Sequence, residues 1–140
     1  MHEQPVAFKI NRIEVLNSSL KTPEIRSEVA GFNFEVGVRQ GVNAQDKIVL
    51  AITSVSVYPV NSKELLGSFE AAFSFELEDF DNVFPEPLNM EVPDSLSMAL
   101  NSISISTTRG LMFNAFKGTY LHNAILPLVD PLSLQPALIE

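Results

Sequence analysis

Four runs of period-two alternation fill the first half of this chain and commit it to a sheet. In Val6–Val15, the residues Val6, Phe8 and Ile10 share one side, with Lys9 and Asn11 on the other. Phe32, Phe34, Val36 and Val38 are opposed by Asn33, Glu35, Gly37 and Arg39. Lys47–Tyr58 is rich in β-branched residues. Ile48, Leu50 and Ile52 face one way, and Val49, Ala51, Thr53, Val55 and Val57 the other. Leu66–Leu77 sets Phe69, Ala71, Phe73, Phe75 and Leu77 against Glu70, Ser74 and Glu76. Alternation of this length marks half-buried strands. Gln40–Asp46 and Pro59–Lys63 carry turn residues between them. Residues of about 6–78 are therefore expected to form four antiparallel strands.

Residues 79–93 change character. Pro85, Pro87 and Pro93 oppose regular structure, and the stretch is acidic and apolar at once. A long crossing loop is expected there, and ordered loops of that length are often functional. Residues of about 94–117 are ambiguous. Ser102–Ser106 alternates like a strand, but over the wider window a helix fits better. Leu96, Leu100, Ile103, Thr107 and Leu111 fall on one helical stripe. Met98, Ile105, Met112 and Phe116 fall on a second stripe roughly opposite, with small residues between. Pro93 and Asp94 suit the first turn, and Gly118 can end the helix. A helix apolar on two sides must be covered on both. Its own sheet can cover one. The other cover is either a second copy of the chain, which makes Met98, Ile105, Met112 and Phe116 an oligomer interface, or the proline-rich loop. The segment 119–140 holds Pro127, Pro131 and Pro136 and permits only short elements, with a terminal helix able to start at Asp130-Pro131-Leu132-Ser133.

Composition bounds the function. The 140 residues (15.4 kDa) are 46% hydrophobic and 19% charged, as in one folded domain spanning 1–140. A net charge of −8 argues against a nucleic-acid partner, which needs basic surface for phosphates. Without cysteine there are no disulfides, thiolate zinc sites or cysteine nucleophiles. No apolar run approaches the roughly 18 residues of a membrane span, so no membrane insertion is expected. Met1–Pro5 is mostly polar and leads into no secretory signal, so a cytoplasmic location is expected.

Catalytic and cofactor patterns are missing. His122 has no acidic neighbour in sequence, and neither G-x-S-x-G nor a glycine-rich phosphate loop occurs. No enzyme activity, cofactor or metal is therefore expected. The acids Glu76, Glu78, Asp79 and Asp81 could hold a divalent cation, but they lack a calcium-loop pattern and read as a solvated acidic loop.

Charge placement is the more informative signal. Nine of the seventeen acids lie between Glu64 and Asp94, and no lysine or arginine occurs from Glu64 to Thr108. Such charge either protects strand edges or makes a docking face for a basic partner. Glu70, Glu76 and Glu78 are the candidates for that face. Phe80 and Phe84, beside the prolines, could line an exposed apolar groove.

The order of elements resembles the SecB-type protein-export chaperones over about Phe8 to Leu134. Phe8-Lys9-Ile10-Asn11-Arg12-Ile13 is similar to that family's first strand. Leu100–Gly110, ending in the Arg109-Gly110 pair, resembles its long helix. Leu126-Pro127-Leu128-Val129-Asp130-Pro131-Leu132 resembles the proline-containing loop and the start of its second helix. The resemblance implies an α+β fold: a four-stranded antiparallel sheet with a long helix and a short C-terminal helix packed on one face. It implies a homotetramer, a dimer of dimers with the long helices between two sheet layers. It also implies ATP-independent binding of unfolded precursor polypeptides and their transfer to the SecA motor through an acidic sheet surface, where Glu70 matches a family acid. Asn17 and Lys21 stand where the family carries acids after its first strand.

The expected function is that of a holdase. Phe80, Phe84, Leu88 and Met90 of the crossing loop, with Leu126 and Leu128, would line the client groove, since flexible and aromatic side chains repack around varied partners. Two other classes stay open: a dedicated partner-binding module of the toxin–antitoxin or phage-assembly kind, and a carrier of a small apolar ligand.

Overall fold

The computed structural model describes residues 7–21, 31–85, 91–128 and 137–138. Four long strands form where the alternation lies: β1 (Phe8–Leu20), β2 (Phe32–Asn43), β3 (Ile48–Pro59) and β4 (Gly67–Leu77). A short helix α1 (Phe80–Val83) and a 22-residue helix α2 (Asp94–Ala115) follow, then a two-residue strand β5 (Ala137–Leu138). The fold is α+β, and the sheet order is β1-β4-β3-β2-β5. The four long strands pair antiparallel, and β5 adds parallel to β2.

β2 runs four residues further than its turn residues suggest, pairing as far as Asn43. The turn is Ala44–Lys47. Asn43 and Asp46 lock it, Asp46 N donating to Asn43 Oδ1 and Asn43 Nδ2 to Asp46 Oδ2, each at 3.1 Å. Central β3 and β4 alternate strictly between buried and half-buried residues over most of their length because α2 packs on one face of both. Phe69, Phe73, Phe75, Val49, Val55 and Val57 form the floor of the core.

α2 corrects the two-stripe expectation. Its sheet-facing side is polar and small: Asn101, Ser104 and Thr108 are fully buried. The two apolar stripes flank this contact line, Leu96 and Leu100 on one side, Ile105, Met112 and the capping Phe116 on the other, and all five are buried. Small side chains let the helix approach the sheet, and the larger ones then wrap down beside it. Phe116 meets Phe69 edge-on with ring centroids 6.4 Å apart. Ile105, Met112 and Phe116 thus belong to the chain's own core, and Met98 is half-buried. The outward side is Ser102, Ser106, Gly110 and Phe113.

The crossing loop is not wholly irregular, since Asp79–Phe84 closes one helical turn. No helix among the described residues is long and apolar enough to cross a membrane. The expected terminal helix starts at Asp130, and residues 129–136 lie outside the described residues. Ala137–Leu138 is strand.

Candidate functional site

α2 covers the middle of the sheet and leaves both margins of the core face partly open. On the β1 margin, Ile10, Ile13, Val15 and Leu20 are 38 to 48% exposed. They pair with Phe75, Phe73, Ala71 and Gly67 of β4, so they point to the core face, beyond the reach of the helix. Two register shifts keep them there. Skipped residues between Ile10 and Arg12, and between Val15 and Asn17, restore the apolar set to one face after each bulge. Among the described residues β1 has no strand on its other edge. On the opposite margin, Phe32, Phe34 and Val36 of β2 pack on the core but stay half-buried.

β2 is tied to α2 by a buried amide pair. Gln40 Nε2 donates to Asn101 Oδ1 at 2.6 Å and to the Ser97 carbonyl at 3.1 Å. Gln40 Oε1 accepts from Ser97 Oγ at 3.0 Å. Thr108 Oγ1 bonds the Ser104 carbonyl at 2.6 Å, while Thr53 Oγ1 and Ser104 Oγ are buried without a partner. The helix–sheet seam therefore carries a polar line from Ser97 to Thr108.

Of the four described residues of the expected client groove, three are buried in the protomer. Phe80 and Phe84 are buried, their rings 4.9 Å apart. Leu126 is buried because Arg109 draws its segment onto α2. Arg109 Nε donates to the Leu126 carbonyl at 2.6 Å and Nη2 to the Pro127 carbonyl at 2.9 Å. Leu128, just past this clamp, is 91% exposed. Leu88 and Met90 lie outside the described residues. Arg109 as a clamp was not read from the sequence. Its signal there is its solitude, the one cation between Lys63 and Lys117.

Two of the three acids named for a docking face lie beside a cation. Glu70 accepts from Ser54 Oγ at 2.7 Å and faces Arg39 at 3.5 Å. Glu76 lies 3.6 Å from Lys9. Glu78 is exposed on the turn after β4. Exposed pairs like these contribute little stability, and they offset only part of the negative field that steers a basic partner. Among the described residues no three His, Asp or Glu side chains are grouped to hold a metal ion. A recess of about 430 Å³ at the β1–β4 end is lined by Ala7, Phe8, Lys9, Glu76, Leu77 and Glu78. Its charged rim is unlike the apolar cavity that a lipid or hydrophobe carrier needs.

One solved structure shares this architecture. A Mycobacterium tuberculosis SecB-like chaperone, in complex with a peptide from an antitoxin, matches over 87% of this chain and 90% of its own. The TM-score is 0.56 at 11% identity. The fold is SecB-like. A Streptococcus agalactiae protein of unknown function matches over 81% of this chain and 90% of its own, with a TM-score of 0.46 and 11% identity. No family model and no curated protein matches the sequence.

Proposed function

We propose that this chain is an ATP-independent polypeptide-binding chaperone, a holdase acting in the cytoplasm on unfolded segments of other proteins. The observation that carries the reading is the apolar surface left at both margins of the core face, Ile10, Ile13, Val15 and Leu20 on β1 and Phe32, Phe34 and Val36 on β2. The SecB-like fold supports it, as does the antitoxin peptide bound by the Mycobacterium chaperone. Each client side chain buried there contributes roughly 1.5–3 kcal/mol before ordering costs, so a few contacts suffice. Binding the unfolded state holds it by mass action, with no nucleotide.

The working form is a homo-oligomer, a dimer of dimers in the full tetramer. The β1 margin is the surface that a second copy covers, in place of Met98, Ile105, Met112 and Phe116. The β2 margin is then left for the client. In export, the client would pass to the SecA motor. The pairing of Glu70 with Arg39 and of Glu76 with Lys9 instead favours a second reading, a dedicated chaperone for one partner, such as an antitoxin or a phage assembly protein. Chemically denatured citrate synthase, diluted with and without the protein, separates these. A general holdase suppresses light scattering at a few-fold excess. A dedicated chaperone leaves scattering unchanged and retains one partner at stoichiometric level from lysate. Failure of both ends the chaperone reading.

A further inference from the structure

The first turn-ward half of β3 is apolar on both faces. Ile48-Val49-Leu50-Ala51-Ile52 is an unbroken apolar run, and such a run marks a strand covered on both sides. Val49 and Ala51 belong to the core. Ile48, Leu50 and Ile52 point to the opposite face of the sheet and are half-buried. Among the described residues both helices pack on the core side. The connection from β1 to β2 leaves at Leu20, beside Gly67, and returns at Phe32, beside Pro59, which is the other end of the sheet from Ile48.

The surroundings of this strip give it a relief and a charge pattern. Leu50 stands between Gly41 on β2 and Ser74 on β4, and Ile52 has Ala72 on its β4 side. The leucine is thus a ridge with low ground on either side. Three ion pairs frame it: Lys9–Glu76 at 3.6 Å, Arg12–Glu14 at 3.7 Å and Arg39–Glu70 at 3.5 Å. The frame carries as many cations as acids, in a chain of net charge −8. Glu35, the further acid on this face, lies past Ser54 and accepts from the Tyr58 hydroxyl at 3.4 Å. Copies of an acidic chain repel each other, and a locally balanced face is where they can approach without that penalty. A mixed-sign frame also offers each charge an opposite one on an identical face turned about a two-fold axis.

We propose that the outer face of the sheet, centred on Leu50, docks on the same face of a second copy, sheet against sheet, and that this stack joins β1-linked pairs into the four-chain assembly. The ridge of one copy falls into the low ground of the other at the roughly 10 Å spacing of packed sheets. Size explains why pairs are needed. The strip and its frame measure roughly 14 Å along the strands and 19 Å across them, on the order of 300 Å² per copy. A single stack therefore buries about half of the ~1,200 Å² at which stable interfaces begin, so lone chains do not hold it. Two copies meeting along β1 continue one sheet with both strips on the same side, and two such pairs reach that area together. The proposal rests on the homo-oligomer reading and supplies its second contact. It uses the face away from α2, so the β2 margin of the core face stays open.

The test is sedimentation of the full chain at micromolar concentration. The parent is expected at the mass of four chains. Leu50→Glu sets a charge against its own counterpart and is expected to halve that mass, with far-ultraviolet circular dichroism unchanged. Ile48→Thr with Ile52→Thr keeps β-branched residues in the strand while removing apolar surface, and it is expected to halve the mass as well. That pair decides the matter if Leu50→Glu does not fold. A parent mass other than four chains overturns the proposal. A folded variant that keeps the parent mass overturns it too, because the second contact then lies on another surface. Binding of reduced, carboxymethylated lactalbumin, a permanently unfolded chain, is read separately. A parent that assembles in fours, is halved by these substitutions and binds no unfolded chain upholds the stack and ends the holdase reading alone.

Discussion

At Gly67 the backbone leaves no room for a side chain. An added Cβ would lie 2.6 Å from Leu121 Cδ1 and 2.9 Å from the Ser19 carbonyl oxygen. The leucine can turn aside; the carbonyl is held in the β1–β4 ladder, where Gly67 pairs with Leu20. Gly67→Ala is therefore expected to destabilise the chain by about 1–3 kcal/mol in denaturant unfolding. Gly110→Ala, on the open side of α2 with nothing within 4 Å, is expected to stabilise by about 0.5–1 kcal/mol. Equal effects at the two sites would contradict the packing described. Tyr120 closes the same corner. Its single hydroxyl proton lies between two acceptors, the Leu66 carbonyl at 2.9 Å and the Lys21 carbonyl. Burial of the hydroxyl, then the nearby Glu64 carboxylate, raises its pKa above the ordinary 10.0. The folded state thus holds this proton more tightly than the unfolded state. The contribution is complete below about pH 10 and is lost as pH rises through the raised value. Tyr120→Phe should cost about 1 kcal/mol at neutral pH, and its deficit against the parent should shrink above pH 10. A deficit independent of pH would show that the phenol is not differentially held.

Among elements, the strands were legible and the helix contact was not. Alternation in β3 and β4 survives folding because both strands are central and covered on one face. β1 hides its pattern. Ile10 and Ile13 are three apart, yet a bulge brings both to one face, and no pair of residues in sequence announces a bulge. Apolar periodicity found α2 but misplaced its contact line, since hydropathy ranks Ser104 and Thr108 as outward residues. Packing distance selected them for the inside. Hydropathy alone places Leu126 and Phe80 in an open groove, because a clamp from Arg109 and a helical turn at Phe80–Val83 are tertiary facts. The buried pair Gln40–Asn101 tests the seam. Asn101→Ala should cost about 1–3 kcal/mol, because Gln40 loses a partner without regaining water. Adding Gln40→Leu should recover part of that loss, as removal of both partners leaves no orphaned amide. Additive losses in the double variant would mean that the two amides do not act as a pair.

For the whole molecule the question is what covers β1. Among the described residues β1 is a thirteen-residue edge strand with Ile10, Ile13, Val15 and Leu20 open on its core face, and such an edge is an aggregation hazard unless it is paired. Its bulges blunt the edge without burying those side chains. The net charge of −8 opposes nonspecific clumping, which leaves a defined contact with a second copy as the economical solution. Nothing of the kind is needed at Ile105, Met112 or Phe116, which the protomer already buries. Sedimentation at micromolar concentration should therefore give a mass at a multiple of 15.4 kDa. Ile13→Glu with Val15→Glu should return it to the single-chain mass, because two charges on the strip oppose their counterparts across a symmetric interface. Far-ultraviolet circular dichroism should stay that of a folded α+β chain, since both positions are about half exposed in the protomer. On the proposed polypeptide-binding function, the same variant should leave binding at the β2 margin intact per protomer, while losing the avidity that a long client gains from several linked sites. A parent protein that sediments as a single chain at every concentration, or a double variant that keeps the assembled mass, would place the partner of β1 elsewhere.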